Sequence, residues 1–582
     1  MAARWLISGE WRRWWYYGWH LFLMFGLPAI YFFAWFGMTD PVNDRNEAPW
    51  GFFQFKSAPS GLFTSHTQPH WKWFREHIHY HYPGFEGWAY IGLPAVLFCL
   101  FLFIRWGWKR FRAPVVMAPV NSRLYVQSLL LSAAGIALFS FGIPLVWVGG
   151  ADWLEHLGPL RQFRSIGRFA WLFYYAINLA FWVELAHRLG PKITTNRWPF
   201  IVLLLTFILA PAEVLFFHQD KNFRLNEIKD LNPPTLAERT GLDFSRYQAI
   251  IPVPYYNIGS DNFWWDQSGF IGQKVQSLSW QTGLSTNGAM LTRTSLGQTL
   301  NQLQFITEPY RRPSLLDDLP NNKPFLLAFD AERYDEFGDH SFHLADRSKL
   351  VYNDPPFQLY ELPLKRWEEK IRETYHTTKL AIDTSIWLAS NSDSLRSFYS
   401  NNDSLSFVYQ DFTSSWQYFA GDLHRSQAVI NSQTSVGPTG YVDKGYQGAF
   451  GSPNTILDIR EGIQLDSGAY VLSFWMDIGH DRYARTEFTL HTRIGDQQPG
   501  PTYRGTVRHW SRVFDTNGWA MVEMPLVLST QITGLHLSLN MPLLKDQPLN
   551  VDDVLLRPAD LDLYRRLGDT LYYNNRYYLP LE

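Results

Sequence analysis

Three arginines, Arg161, Arg164 and Arg168, recur at i, i+3 and i+7. On a helix that spacing would put three guanidinium forks on one face. Such forks match phosphate oxygens in pairs. They precede an apolar run, so a lipid-linked donor phosphate suits them; ordinary lipid phosphates, or Asp152 and Glu155 nearby, would satisfy them too. A second chemistry lies in the loop MTDPVNDRNEAPW, through Asp40 and Asp44. Moving a sugar off a phosphate needs a carboxylate to take the acceptor's proton, and a cation to steady the leaving phosphate. Asp40 or Asp44 can do the first and bound Mg²⁺ or Mn²⁺ the second, while a solvated loop beside a helix has the same composition. His77, His79 and His81 would share one face of a strand and could ligate Zn²⁺ or Mn²⁺. Their interleaving with Trp71, Trp73, Phe74 and Tyr80 fits an interfacial segment equally. Further on, Asn257, Asp261, Trp264 and Trp265 gather amide, carboxylate and indole groups in one stretch. That mixture reads sugar hydroxyls and ring faces, or packs as a lid.

The elements that must hold these groups fall into two halves. Five apolar, aromatic-rich runs occupy the first 217 residues: Tyr16–Gly37, Trp88–Arg105, Leu124–Val148, Phe169–Leu185 and Pro199–Phe217. A spanning helix needs about 20 mostly apolar residues, so the expectation is a helical membrane domain of about five spans over residues 1–222. The mean hydropathy of -0.19 averages this half with a polar one. Basic residues before the first run, between the second and third, and between the fourth and fifth fall on one face, which the positive-inside rule makes cytoplasmic. The loop carrying Arg161, Arg164 and Arg168 is then external, as is everything after His218. A net charge of -2 argues against a nucleic-acid partner. One cysteine, Cys99, excludes a disulfide framework and a thiolate zinc site in the external half.

Residues 223–383 alternate strand-like and helix-like runs, which predicts an external α/β domain. Its strands are expected at Tyr247–Val253, Phe325–Phe329, Leu350–Asn353 and Gln358–Leu362, with a turn-rich loop after the first and a linking helix over Arg366–Asp383. Residues 384–582 change to period-2 alternation at Ala469–Asp477, Thr486–His491, Ala520–Pro525 and Gly534–Asn540. Strands so spaced predict a C-terminal β-sandwich of the jelly-roll kind.

GPLRQFRSIGRFAWLFYY, PWGFFQF, GFEGWAYIGL and YQAIIPVPYYNIGS resemble segments of bacterial GT-C-type glycosyltransferase-like membrane proteins, over roughly residues 15–365. The stretch NVDDVLLRP resembles the closing strand of a carbohydrate-binding-module jelly roll, where a carboxylate often helps bind structural Ca²⁺; Asp552 or Asp553 would supply it. The first resemblance implies a multi-pass protein of the bacterial inner membrane, with its C-terminal domains external. It would take a sugar from a polyprenyl-phosphate donor and pass it to a glycan or protein acceptor. The chain matches the later part of such a membrane bundle. That implies either a second membrane subunit or a fold reused without chemistry, as a glycan-binding or scaffold subunit of an envelope complex.

Overall fold

The computed structural model describes residues 14–42, 44–45, 51–65, 76–77, 84–112, 121–147, 153–192, 197–220, 238–258, 265–266, 271–291, 294–308, 310–330, 342–354, 357–391, 396–410, 412, 415–419, 422–425, 435–437, 441, 445–451, 454–460, 462–479, 483–495, 498–515, 517–542, 544 and 546–580. It divides into two compact units: Met1–Asn43 with Glu47–Lys229, and Asp44–Asn46 with Asp230–Glu582.

The first unit is helical: α1 (Trp14–Leu21), α2 (Leu27–Thr39), α3 (Leu93–Arg112), α4 (Asn121–Ser140), α5 (Ala170–Leu189) and α6 (Arg197–Asp220). A π-helical turn, Phe22–Gly26, joins α1 to α2. Among the described residues, three helices are long and apolar enough to cross a membrane: Gly18–Thr39, Ile166–His187 and Arg197–Phe216. Five were expected. The run at Trp88–Arg105 becomes α3, whose end carries Arg105, Lys109, Arg110 and Arg112. The run at Leu124–Val148 becomes α4, a helix of 20 residues over Asn121–Ser140. Gly18–Thr39 has no residue buried within the chain. An apolar helix exposed on all faces is built for lipid or another chain, not for a soluble core. Membrane association is therefore a property of the first unit.

Its irregular segments are held together closely. Phe52, Leu145 and Ile166 form one buried cluster. The Gly167 amide donates to the Phe55 carbonyl at 2.8 Å, and Ser57 Oγ donates to the Gly87 carbonyl at 2.6 Å. The segments around residues 51–57, 84–87 and 164–169 thus meet, although they are far apart in sequence.

The second unit opens with an α/β layer. Its sheet has the order β2 (Ser285–Thr286), β1 (Ala249–Val253), β3 (Phe325–Phe329), β5 (Phe357–Leu362), β4 (Lys349–Asp354). β1 runs parallel to both β2 and β3, and β5 is antiparallel to β3 and β4. β3 is buried at every position, as its unbroken FLLAF run requires. Helix α7 (Ile271–Thr282) packs Ile271, Val275 and Leu278 against Ile250, Leu326 and Ala328. Helix α8 (Leu296–Leu303) lies with the alternate residues Ile251, Val253 and Leu327. Because neighbouring strand residues point to opposite faces, the two helices cover opposite sides of the sheet. Helix α9 (Lys365–Thr384) follows and buries Trp367 and Ile371.

The C-terminal region is β-rich. One antiparallel sheet is built around Gly468–Asp477, Trp519–Leu528 and Pro548–Pro558, and a second around Asn454–Ile459, Gly534–Asn540, Glu487–Ile494 and Gln498–Thr506. Apolar residues of both sheets enter one buried cluster, with the Phe474 ring edge-on to Phe488 at 5.3 Å. That cluster continues into β1, β3 and α8, so the α/β layer and the β-rich region share a core. A third small sheet returns to α9: Ile382 of the helix packs with Tyr564 and Leu571.

Candidate binding site at the carboxyl edge of the α/β layer

From β1 the chain passes through α7 to β2 on one side, then through α8 to β3 on the other. Strand order thus reverses about β1, so the carboxyl ends of the parallel strands form a topological switch point. Such a switch point is where open α/β sheets hold ligands. Asp330 directly follows β3 and its amide donates to the Val253 carbonyl at 2.9 Å, which fixes it beside the end of β1. The side chain is fully buried. Lys274, from the first turn of α7, reaches Oδ2 at 3.2 Å, and Oδ1 is buried without a hydrogen-bond partner among the described residues. Asn287 directly follows β2 on the other side of β1, and its amide oxygen and nitrogen are buried without partners in the same sense. Buried polar atoms are nearly always satisfied, so such groups await a ligand or water.

Tyr255, Tyr256 and Asn257 leave the end of β1 and are all buried. Tyr255 Oη donates to the Asn287 carbonyl at 3.4 Å. Burial holds the Tyr255 phenol well above its ordinary range and pushes Tyr256 up to about 12, so both stay neutral hydroxyls. The carboxyl edge therefore carries a carboxylate, an ammonium and an amide among neutral phenols. That set can accept from and donate to several hydroxyls at once.

The stretch expected as a turn-rich loop is partly strand. Tyr256–Ile258 pairs with Trp265–Asp266 and with Ala289–Met290, and Asn257 stands opposite Trp265. Asp261 and Trp264 lie outside the described residues. Sequence reading thus reached this edge through Asn257 and Trp265 and missed Asp330, Lys274 and Asn287. A lone Asp after FLLAF was the available signal, since a carboxylate there falls at the carboxyl end of a buried parallel strand.

The other expected sites are placed differently. Asp40 caps the carboxyl end of α2, and its Oδ1 accepts from the Val42 amide at 3.1 Å. Asp44 belongs to the second unit, where Oδ2 accepts from the Gly297 amide at 2.7 Å in the first turn of α8. A carboxylate is stabilised at that helix end. Asp40 falls in the first unit and Asp44 in the second.

Arg161, Arg164 and Arg168 do not share one helix. Two 3₁₀ segments, Glu155–Gln162 and Ile166–Phe169, carry Arg161 and Arg168, and Arg164 lies in the break between them. Arg168 grips Glu86 with both ends of its fork, at 2.5 and 2.7 Å. That bond holds the Glu86 carboxyl below its ordinary range. Of the histidines, His77 is described, and His79 and His81 lie outside the described residues.

Asp552 and Asp553 are fully buried. Asp552 accepts from the backbone amides of Tyr441 and Asp553, each at 2.8 Å. Asp553 Oδ1 takes the Tyr409 hydroxyl and the buried Arg565 guanidinium, the latter at 3.4 Å. A cation of the chain itself, the Arg565 guanidinium, therefore already faces Oδ1 of Asp553. Among the described residues no three His, Cys, Asp or Glu side chains form a metal-binding group.

Residues 1–210 match the model of a family described as a domain of unknown function (DUF6311). The search of curated proteins finds no match. Solved structures similar to part of the chain include a carbohydrate-binding module of lichenase 5A from Cellvibrio mixtus in complex with cellotriose, at 13% identity, covering 23% of this chain and 92% of that one, TM-score 0.16. The C-terminal module of a laminarinase from Zobellia galactanivorans matches at 11% identity, over 26% and 98%, TM-score 0.16. A xylan-binding module matches at 5% identity, over 28% and 96%, TM-score 0.17. The resemblance is one of the C-terminal β-rich region to such modules, and at these scores it carries no argument about a ligand.

Proposed function

We propose that this chain is a membrane-anchored saccharide-binding protein whose binding site is the crevice formed by Asp330, Lys274, Asn287 and the Tyr255–Asn257 segment. The observation that carries the reading is the fully buried Asp330 at the switch point of the sheet, with one oxygen on Lys274 and the other without a hydrogen-bond partner among the described residues. Sugars are ligands whose dense hydroxyls satisfy a carboxylate and an amide together, and neutral tyrosines add apolar surface for a ring face. The β-rich region, read as a jelly-roll sandwich, serves as a second glycan-facing module. With the basic segments of the first unit in the cytoplasm, the site faces the outside of a bacterial inner membrane.

The narrower reading is a GT-C-like transferase drawing on a polyprenyl-phosphate sugar. In it, Asp330 replaces Asp40 and Asp44 as the group that accepts a proton from the acceptor hydroxyl. The test is calorimetric titration of the full chain in nanodiscs with a panel of neutral oligosaccharides, with Asp330→Asn and Asn287→Ala variants beside it. The expected result is binding that weakens at least tenfold in each variant. Binding unchanged in Asp330→Asn, or no binding by a folded wild type, would overturn the reading. Sugar release from a polyprenyl-phosphate donor, absent in Asp330→Asn, separates the transferase from the binding protein.

A further inference from the structure

At the other end of the same sheet, a cavity of about 550 Å³ opens where β4 begins, β5 ends and α9 starts. Its size falls in the range of small-ligand pockets. Among its lining residues are Arg347, Lys349, Arg366 and Lys370, and the carboxylates that line it are largely spoken for. Glu369 pairs with Arg366 at 3.2 Å and Glu373 with Lys370 at 3.4 Å along α9. Glu361 accepts from the Tyr247 hydroxyl at 3.2 Å and faces Arg246 at 3.7 Å. Asp346 is exposed.

Arg347 is different. Its guanidinium lies over the Trp367 ring, 5.0 Å from the centroid, and its Nη1 is buried with no hydrogen-bond partner among the described residues. No carboxylate among them stands within ion-pair distance of it. Burial pulls this guanidinium down to about 10, more than Glu308, Asp346 and Glu373 together restore. A half-buried cation stacked on an indole and short of counter-charge costs free energy that a bound anion would recover.

We propose that this cavity binds a small oxyanion, a carboxylate or phosphate carried by a sugar-sized molecule, with Arg347 as its central ligand and Lys349 at its mouth. The site is separate from the carboxyl-edge crevice, which lies beyond the opposite ends of the strands. The two carboxylate and phosphate sources are told apart by titrating the full chain in nanodiscs with glucuronate, glucose 1-phosphate and inorganic phosphate, with glucose as the neutral control. At least one anion is expected to bind, and to bind at least tenfold more weakly in Arg347→Gln. Since Arg347→Gln also removes packing on Trp367, Lys349→Gln on the exposed rim provides a second variant, expected to weaken the same anion three- to tenfold. Anion binding that ignores both substitutions, or a folded wild type that binds none of the three, would overturn the proposal. Glucose binding lost in Asp330→Asn reports on the crevice alone.

Discussion

Arg576 lies between two carboxylates, donating to Glu523 at 2.7 and 3.0 Å and to both oxygens of Glu308, one of them at 3.0 Å. It is buried, and Glu308 keeps about a third of its side-chain surface in water. Replacing one partner of such a set leaves charge without compensation, a cost of about 3–5 kcal/mol when fully buried. Arg576→Met is therefore expected to cost about 3 kcal/mol, the low end, because water still reaches Glu308. Burial pushes the Glu308 carboxyl up, but Arg576, with Arg512 and Arg347 behind it, pulls it down by more, so in the folded chain it sits below its ordinary value. A depressed carboxylate contributes stability that is complete above its unfolded pKa and fades as pH falls through the folded value. Urea unfolding repeated from about pH 6 down to pH 3 should thus show wild-type stability falling at the acid end, with a shallower fall in Glu308→Gln. Equal slopes would show that Arg576 does not govern this carboxyl.

Among the elements, the 3₁₀ turn that carries Gly167 leaves no room for a side chain. A Cβ at Gly167 would stand 2.7 Å from the Phe55 carbonyl and 3.0 Å from the Ser57 nitrogen, both backbone atoms that cannot swing aside. Gly167→Ala is expected to destabilise the first unit by about 1–3 kcal/mol, as overpacking does. Its melting temperature in detergent would fall, and an unchanged value would remove the steric argument. The sequence pattern made much of the second unit legible. FLLAF reads as a buried strand because nothing polar interrupts it, and the helix expected over Arg366–Asp383 is observed as Lys365–Thr384. The sheets of the β-rich region follow from alternation. What escaped depends on pairing across the chain. The helix Ile271–Thr282 has small and polar residues among its apolar ones, so its pattern is weak. Asp330 and Asn287 look like ordinary loop residues until strand order places them on either side of β1. Arg168 reads as a free cation until folding brings Glu86, 82 residues earlier, into its fork.

At the scale of the molecule, the α/β layer and the β-rich region of the second unit share one apolar core and one ion-paired cluster. They are expected to open as a single cooperative body. Native-state hydrogen exchange checks this: amides of Phe325–Phe329 and of Gly468–Asp477 should report the same opening free energy. A difference of more than about 2 kcal/mol between them would mean two foldons. The pairing of Glu308 with Arg576 also sets an order in time. A ribosome makes Glu308 first and reaches Arg576 only 268 residues later, a wait of roughly 15–50 s at ordinary elongation speeds. Through that interval the α/β layer has to mature with an acidic group whose counter-ion does not yet exist. Synthesis itself therefore keeps the second unit unfinished until its β-rich part has emerged.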